Sequence, residues 1–90
     1  MSYGETIECE FYYPVKRIVD VYDFFGIDVN VHKDDKIKDY ANIKVKITGW
    51  ALKQWIGGHI EFIKNVKVKN KVFAKEMNDI IKNFGGIKYE

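Results

Sequence analysis

Two stretches of this chain spell out one plan. Residues 15–29 read VKRIVDVYDFFGIDV and residues 74–88 read AKEMNDIIKNFGGIK, and laying Val15 on Ala74 matches Lys16 with Lys75, Asp20 with Asp79, Phe25 with Phe84 and Gly26 with Gly85. The apolar positions match as well, with Val15, Ile18, Val21 and Tyr22 falling on Ala74, Met77, Ile80 and Ile81. Each copy presents one helical stripe, stops at a glycine and restarts with an isoleucine, which predicts two helix-to-strand units.

The flanking segments supply strands. From Thr6 to Tyr13, Ile7, Cys9, Phe11 and Tyr13 alternate with Glu8, Glu10 and Tyr12, the period of a strand with one buried side. Pro14 then opens a helix where its missing N–H costs nothing. The buried arc of that helix is expected to hold Val15, Ile18, Val19, Val21, Tyr22 and Phe25, with Gly26 ending it in the left-handed conformation. Ile27, Val29 and Val31 predict a second strand, the run KDDKIK a polar loop, and Ile43, Val45 and Ile47 a third strand. Ala51, Leu52, Trp55 and Ile56 group as on a helix that Gly57 and Gly58 end in a flexible turn, and residues 59–69 read as a strand or a hairpin. Asn70 caps a last helix whose buried arc holds Phe73, Met77, Ile80, Ile81 and Phe84, before Gly85-Gly86 and a closing strand from Ile87 to Tyr89.

The resulting order is β-α-β-β-(β)-α-β over one domain, residues 1–90. A pair of βαβ-like units sharing one sheet resembles the ferredoxin-like sandwich, which implies an α+β fold with an antiparallel sheet and two helices on one face. That architecture hosts nucleic-acid binders, regulatory ligand-binding modules, metal carriers and small enzymes, so function has to be read from the side chains.

At 47% hydrophobic and 31% charged residues the chain has the makings of a core and is no disordered tail. No uncharged run approaches the roughly 18 residues of a spanning helix and the N-terminal residues are acidic where a signal peptide is basic, so a cytoplasmic protein without membrane contact is expected. Cys9 has no second cysteine to pair with and sits on the inward face of the first strand, the position of a core thiol. The net charge of +2 conceals a split. Residues 1–35 carry three cations against eight acids, for −5, and residues 36–90 carry twelve lysines against five acids, for +7. Such a split fits an anionic partner, or halves that pair with each other in the fold.

The candidate nucleic-acid-binding residues are Lys44, Lys46, Trp50, Lys53, Trp55, Lys64, Lys67, Lys69 and Lys71, lysines that follow a phosphate backbone and aromatics that stack on bases. Against that stand a single arginine and the opportunity for Glu8 and Glu10 to pair with strand lysines across neighbouring strands. A second candidate surface, for a protein partner, consists of Phe24, Trp50 and Trp55, aromatics of the kind that anchor interfaces; an adaptor, an inhibitor occluding an enzyme, or a homodimer would use it. A third reading is a small-molecule regulatory domain with its ligand near Gly57 and Gly58. His32, Asp34 and Asp35 are metal-ligand residue types, but no cysteine or second nearby histidine completes a set of ligands, and no nucleophile with its base is present. No enzyme activity, cofactor or metal is therefore expected. The leading expectation is a non-enzymatic binding protein whose basic segment contacts nucleic acid or a nucleoprotein complex.

Overall fold

The computed structural model describes residues 4–80 and 87–89. Its strands are β1 (Thr6–Pro14), β2 (Asn30–His32), β3 (Tyr40–Thr48), β4 (Lys64–Val68) and β5 (Lys88–Tyr89). Its helices are α1 (Ile18–Phe25), entered through a 3-10 turn at Val15–Arg17, α2 (Gly49–Gly58) and α3 (Lys71–Ile80). The sheet order is β2-β3-β1-β4-β5. The β2–β3, β3–β1 and β1–β4 pairs are antiparallel and β4–β5 is parallel.

This is an α+β fold with a mixed five-stranded sheet and three helices, where the sequence predicted an antiparallel sheet with two helices. The order with its fifth strand, and the parallel pair at one edge, depart from a ferredoxin-like sandwich. The repeat explains part of the difference. Its first copy sends the chain from α1 to β2, which pairs with β3 two strands away from β4, whereas its second sends the chain from α3 to β5, which pairs directly with β4. Two similar helix-to-strand words therefore occupy different places in the sheet.

Strict alternation makes β1 and β3 the long central pair, in unbroken register from Thr6 opposite Thr48 to Pro14 opposite Tyr40. Ile7, Cys9, Phe11 and Tyr13 of β1, Ala41, Ile43 and Val45 of β3, and Val66 and Val68 of β4 join one buried cluster with Val21 of α1, Leu52, Trp55 and Ile56 of α2, and Phe73, Ala74 and Met77 of α3. All three helices thus cover one face of the sheet. At about 25 cal/mol per Å² of apolar surface removed from water, this burial is the main stabilising term.

Several local expectations change. Val15 and Val19 are 40% and 62% exposed, because the 3-10 turn at the start resets the helical phase and leaves Val21 as the fully buried residue of α1. Pro14 ends β1 and at the same time is the N-cap of the 3-10 turn through which α1 is entered. Gly26 has φ 100 and ψ 163, a positive-φ region outside the left-handed helical well, and a Cβ there would approach the Asp28 carboxylate at 3.3 Å; only glycine takes this conformation cheaply. β2 begins at Asn30, leaving Ile27 89% exposed. After α2 the chain turns through residues 59–62, so the strand in this region is β4 alone. Asn70 caps α3 as expected, its Oδ1 accepting the Phe73 N–H at 2.9 Å. Asn78 holds the closing segment, accepting the Ile87 N–H at 2.7 Å and donating to the Ile87 carbonyl at 2.9 Å. The expected roles of Ile81, Phe84, Gly85 and Gly86 lie outside the described residues, and Ile80 is 57% exposed.

α2 ends at Gly57 and Gly58 as expected, but the two glycines are its last helical residues and not a turn: neither has a positive φ, and a Cβ on either would meet nothing within 4 Å. A glycine in a helix costs about 0.5–1 kcal/mol relative to alanine. Gly57→Ala is therefore expected to stabilise the protein by about that amount, read as a rise in the urea midpoint followed by far-ultraviolet circular dichroism. A lower midpoint would show that this glycine serves something other than the helix.

Candidate nucleic-acid interface

The face of the sheet opposite the helices carries alternating rows of charge, and the registers define them. Across the strands, one row runs Asn30, Lys44, Glu10, Lys67, Lys88. In the next, Lys46 stands opposite Glu8, and the Lys69 ammonium lies 3.3 Å from the Glu8 carboxylate on the other side. Acidic β1 thus lies between lysine-bearing β3 and β4, because the side chains that alternate with Ile7, Cys9 and Phe11 are glutamates and those that alternate with Ile43, Val45 and Val68 are lysines. Glu8, Glu10, Lys44, Lys46, Lys67 and Lys69, with Cys9 and Val45 between them in sequence, line an open groove of about 380 Å³. Four lysines against two glutamates leave a surplus of two positive charges there. The acidic and basic halves of the sequence thus meet in this groove.

Around the groove the polar groups are fixed. Asn42, only 3% exposed, donates from Nδ2 to Glu10 at 2.6 Å. Tyr12 belongs to this face yet is 4% exposed, and its hydroxyl donates to Asp34 of the 33–39 loop at 2.7 Å. Burial and this hydrogen bond raise the Tyr12 phenol above its usual value, and the same hydroxyl holds the Asp34 carboxyl below the usual range. The sign is opposite for the two groups. The Asp34 contribution is full above the unfolded carboxylate value of about 4 and is lost as pH falls through the depressed folded value, while the Tyr12 contribution is lost as pH rises through its elevated one. The 33–39 loop is expected to stay docked through neutral pH and to loosen below about pH 4, seen as faster amide exchange in residues 33–39. In Asp34→Asn the acid-dependent step should vanish; its persistence would place the titrating group elsewhere.

The predicted residues divide on the structure. Lys44, Lys46, Lys67 and Lys69 come together. Lys64 lies farther along the same face, opposite Tyr12 and with its ammonium 4.7 Å from the centre of the Tyr40 ring. Lys53 and Trp50 are on α2 in the helical layer, with the ammonium 5.6 Å from the ring centre, and Lys71 begins α3. Trp55 is fully buried, which corrects both of its expected surface roles. Its ring is stacked on His59 at 3.8 Å between centroids and touches Phe11, Tyr13, Phe24 and Phe25. Phe24 is 39% exposed, with one face on Trp55 and Phe25. Glu8, Glu10 and Lys88 belong to the charged face but were not among the expected binding residues; the alternation of β1 was the available signal for the two glutamates.

Other candidate chemistry is quiet. Burial pushes the Cys9 thiol up to about 12, so it is no nucleophile near neutral pH. Tyr13 is likewise raised to about 12 by burial and by its hydrogen bond to Asp20, which also pairs with Arg17 at 3.2 Å. Among the described residues no three of His, Cys, Asp and Glu converge as metal ligands, and no helix is long and apolar enough to cross a membrane. Scans against protein-family models, curated proteins and solved structures find no match to this chain.

Proposed function

We propose that this is a non-enzymatic binding protein that takes nucleic acid on the open face of its sheet. The observation that carries the reading is the groove of Lys44, Lys46, Lys67 and Lys69, where lysine rows on β3 and β4 exceed the glutamates between them. Successive outward residues of a strand stand about 6.7 Å apart, a spacing at which exposed lysines can follow successive phosphates. Contacts of this kind bind through counterion release, and their affinity falls steeply with salt. The test is a titration of labelled single- and double-stranded oligonucleotides at low and moderate salt. Binding that weakens as salt rises supports the reading; no binding at low salt, or binding indifferent to salt, overturns it. As part of the same reading we take β1 to β4, with α1 and α2 between them, as a ferredoxin-like core to which α3 and β5 are appended, a view supported by the order β2-β3-β1-β4 and its antiparallel pairs.

A protein-interaction module, as adaptor, inhibitor or homodimer, is the second reading. It is favoured by the exposure of Ile27 at 89%, Trp50 at 57% and Phe24 at 39%. It predicts that Phe24→Ala or Trp50→Ala removes a complex without unfolding the chain. The small-molecule reading has lost its motif, since Gly57 and Gly58 are helical.

A further inference from the structure

The two glutamates in the middle of the lysine groove are a puzzle for a surface that only holds phosphates. We infer that Glu10, with Glu8 beside it, reads bases of a single strand and selects for guanine, an inference that rests on the proposed nucleic-acid function.

Charge sets the geometry. Lys44 and Lys67 stand on either side of Glu10, two strand spacings apart, or about 10 Å. A phosphate backbone running down the centre would meet carboxylates. One running along either lysine row meets ammonium groups and projects its bases over Glu8 and Glu10. No aromatic residue lines the groove, and Tyr12, farther along the same face, is buried and bonded to Asp34. Base contact therefore falls to hydrogen bonds, and a carboxylate only accepts them. Guanine presents two adjacent donors on its Watson–Crick edge, the N1–H and the N2 amine, which fit the fork of one carboxylate. Cytosine and adenine each present one amine beside an acceptor, and thymine presents a lone imide N–H between two carbonyl oxygens that a carboxylate repels. In a duplex the guanine donors are already engaged, so the ligand is single-stranded. Glu10 is the better placed of the two glutamates, because the buried Asn42 amide holds its carboxylate at 2.6 Å while Glu8 is shared with Lys69.

The experiment compares thymidine oligomers of one length carrying thymine, hypoxanthine or guanine at two central positions, by fluorescence anisotropy at fixed salt. The wild-type protein should bind the guanine oligomer about tenfold or more tightly than the all-thymine one, a bidentate pair being worth about 1–3 kcal/mol. Hypoxanthine, which keeps N1–H and lacks the amine, should fall between. Glu10→Gln retains an oxygen for Asn42 and removes one negative charge, so it should bind every oligomer more tightly and lose the guanine preference. Glu8→Gln should tighten binding and keep most of that preference. Equal wild-type affinity for guanine and thymine, or an unchanged preference in Glu10→Gln, overturns base reading while salt-dependent binding stands. Failure to bind any oligomer overturns the proposed function and this inference together.

Discussion

Trp55→Ala should cost about 3–5 kcal/mol, the range for emptying a buried aromatic site, and leave the protein largely unfolded or close to its midpoint at 25 °C. The indole is fully buried at the meeting point of β1, α1 and α2, against Phe11, Tyr13, Phe24 and Phe25, and it stacks on His59, whose Nδ1 lies 2.9 Å from the Trp55 carbonyl oxygen. Domains of this size have only some 5–15 kcal/mol of stability to lose, and small ones sit at the low end. The ring also buries its N–H without a hydrogen-bond partner, a group whose desolvation costs about 1–3 kcal/mol. Trp55→Phe removes that penalty along with part of the volume and should therefore lose far less than Trp55→Ala. Trp50→Ala, at an exposed position, should change stability by no more than about 0.5 kcal/mol. Urea unfolding of the three variants measures this. Comparable losses at Trp50 and Trp55 would contradict the placement of the core.

Replacing Lys44, Lys46, Lys67 and Lys69 together by alanine should abolish salt-sensitive binding of single strands. With four phosphate contacts, the slope of log affinity against log salt is about −0.7 per contact, so the wild-type affinity should drop by about 50-fold between 50 and 200 mM salt. The variant should show weak binding with little slope, because Glu8 and Glu10 then face the ligand without their lysine neighbours. Stability should change little. Lys44, Lys46 and Lys69 are exposed and Lys67 is half-buried, and a surface ion pair such as Lys69 with Glu8 contributes about 1 kcal/mol at most. The matching control is Lys53→Ala with Lys71→Ala, on the helical layer, which should leave both affinity and slope near wild type. Loss of binding in that control with retention in the quadruple variant would move the interface to the helices.

How far the sequence anticipates this molecule depends on the range of the interactions. The strict alternation of β1 and β3 is a local signal, and it correctly predicts which of their residues face the core and which face the open side. The capping of α3 by Asn70 is local too. Sheet order is not. The repeat predicts helix-to-strand units, but whether each returning strand lands beside its own parent or two strands away is decided by the rest of the sheet. Trp55 was legible in part, since its spacing from Leu52 and Ile56 already places it on the apolar arc of α2, while its aromatic ring among lysines also suited a binding surface. The two glycines are the last helical residues of α2, which ends at Gly58. For the site, the lysines of β3 and β4 were visible as a basic segment. That Glu8 and Glu10 lie between them follows only from the pairing of β1 with strands on both sides.

Amine-reactive footprinting read by mass spectrometry, with and without a single-stranded oligonucleotide at low salt, locates the binding surface residue by residue. Lys44, Lys46, Lys67 and Lys69 should be protected by the oligonucleotide, and Lys53 and Lys71 should label at the same rate in both samples. Protection centred on Lys53, or labelling of the four groove lysines unchanged by bound oligonucleotide, would contradict the assignment of the open sheet face as the place where this protein meets its partner.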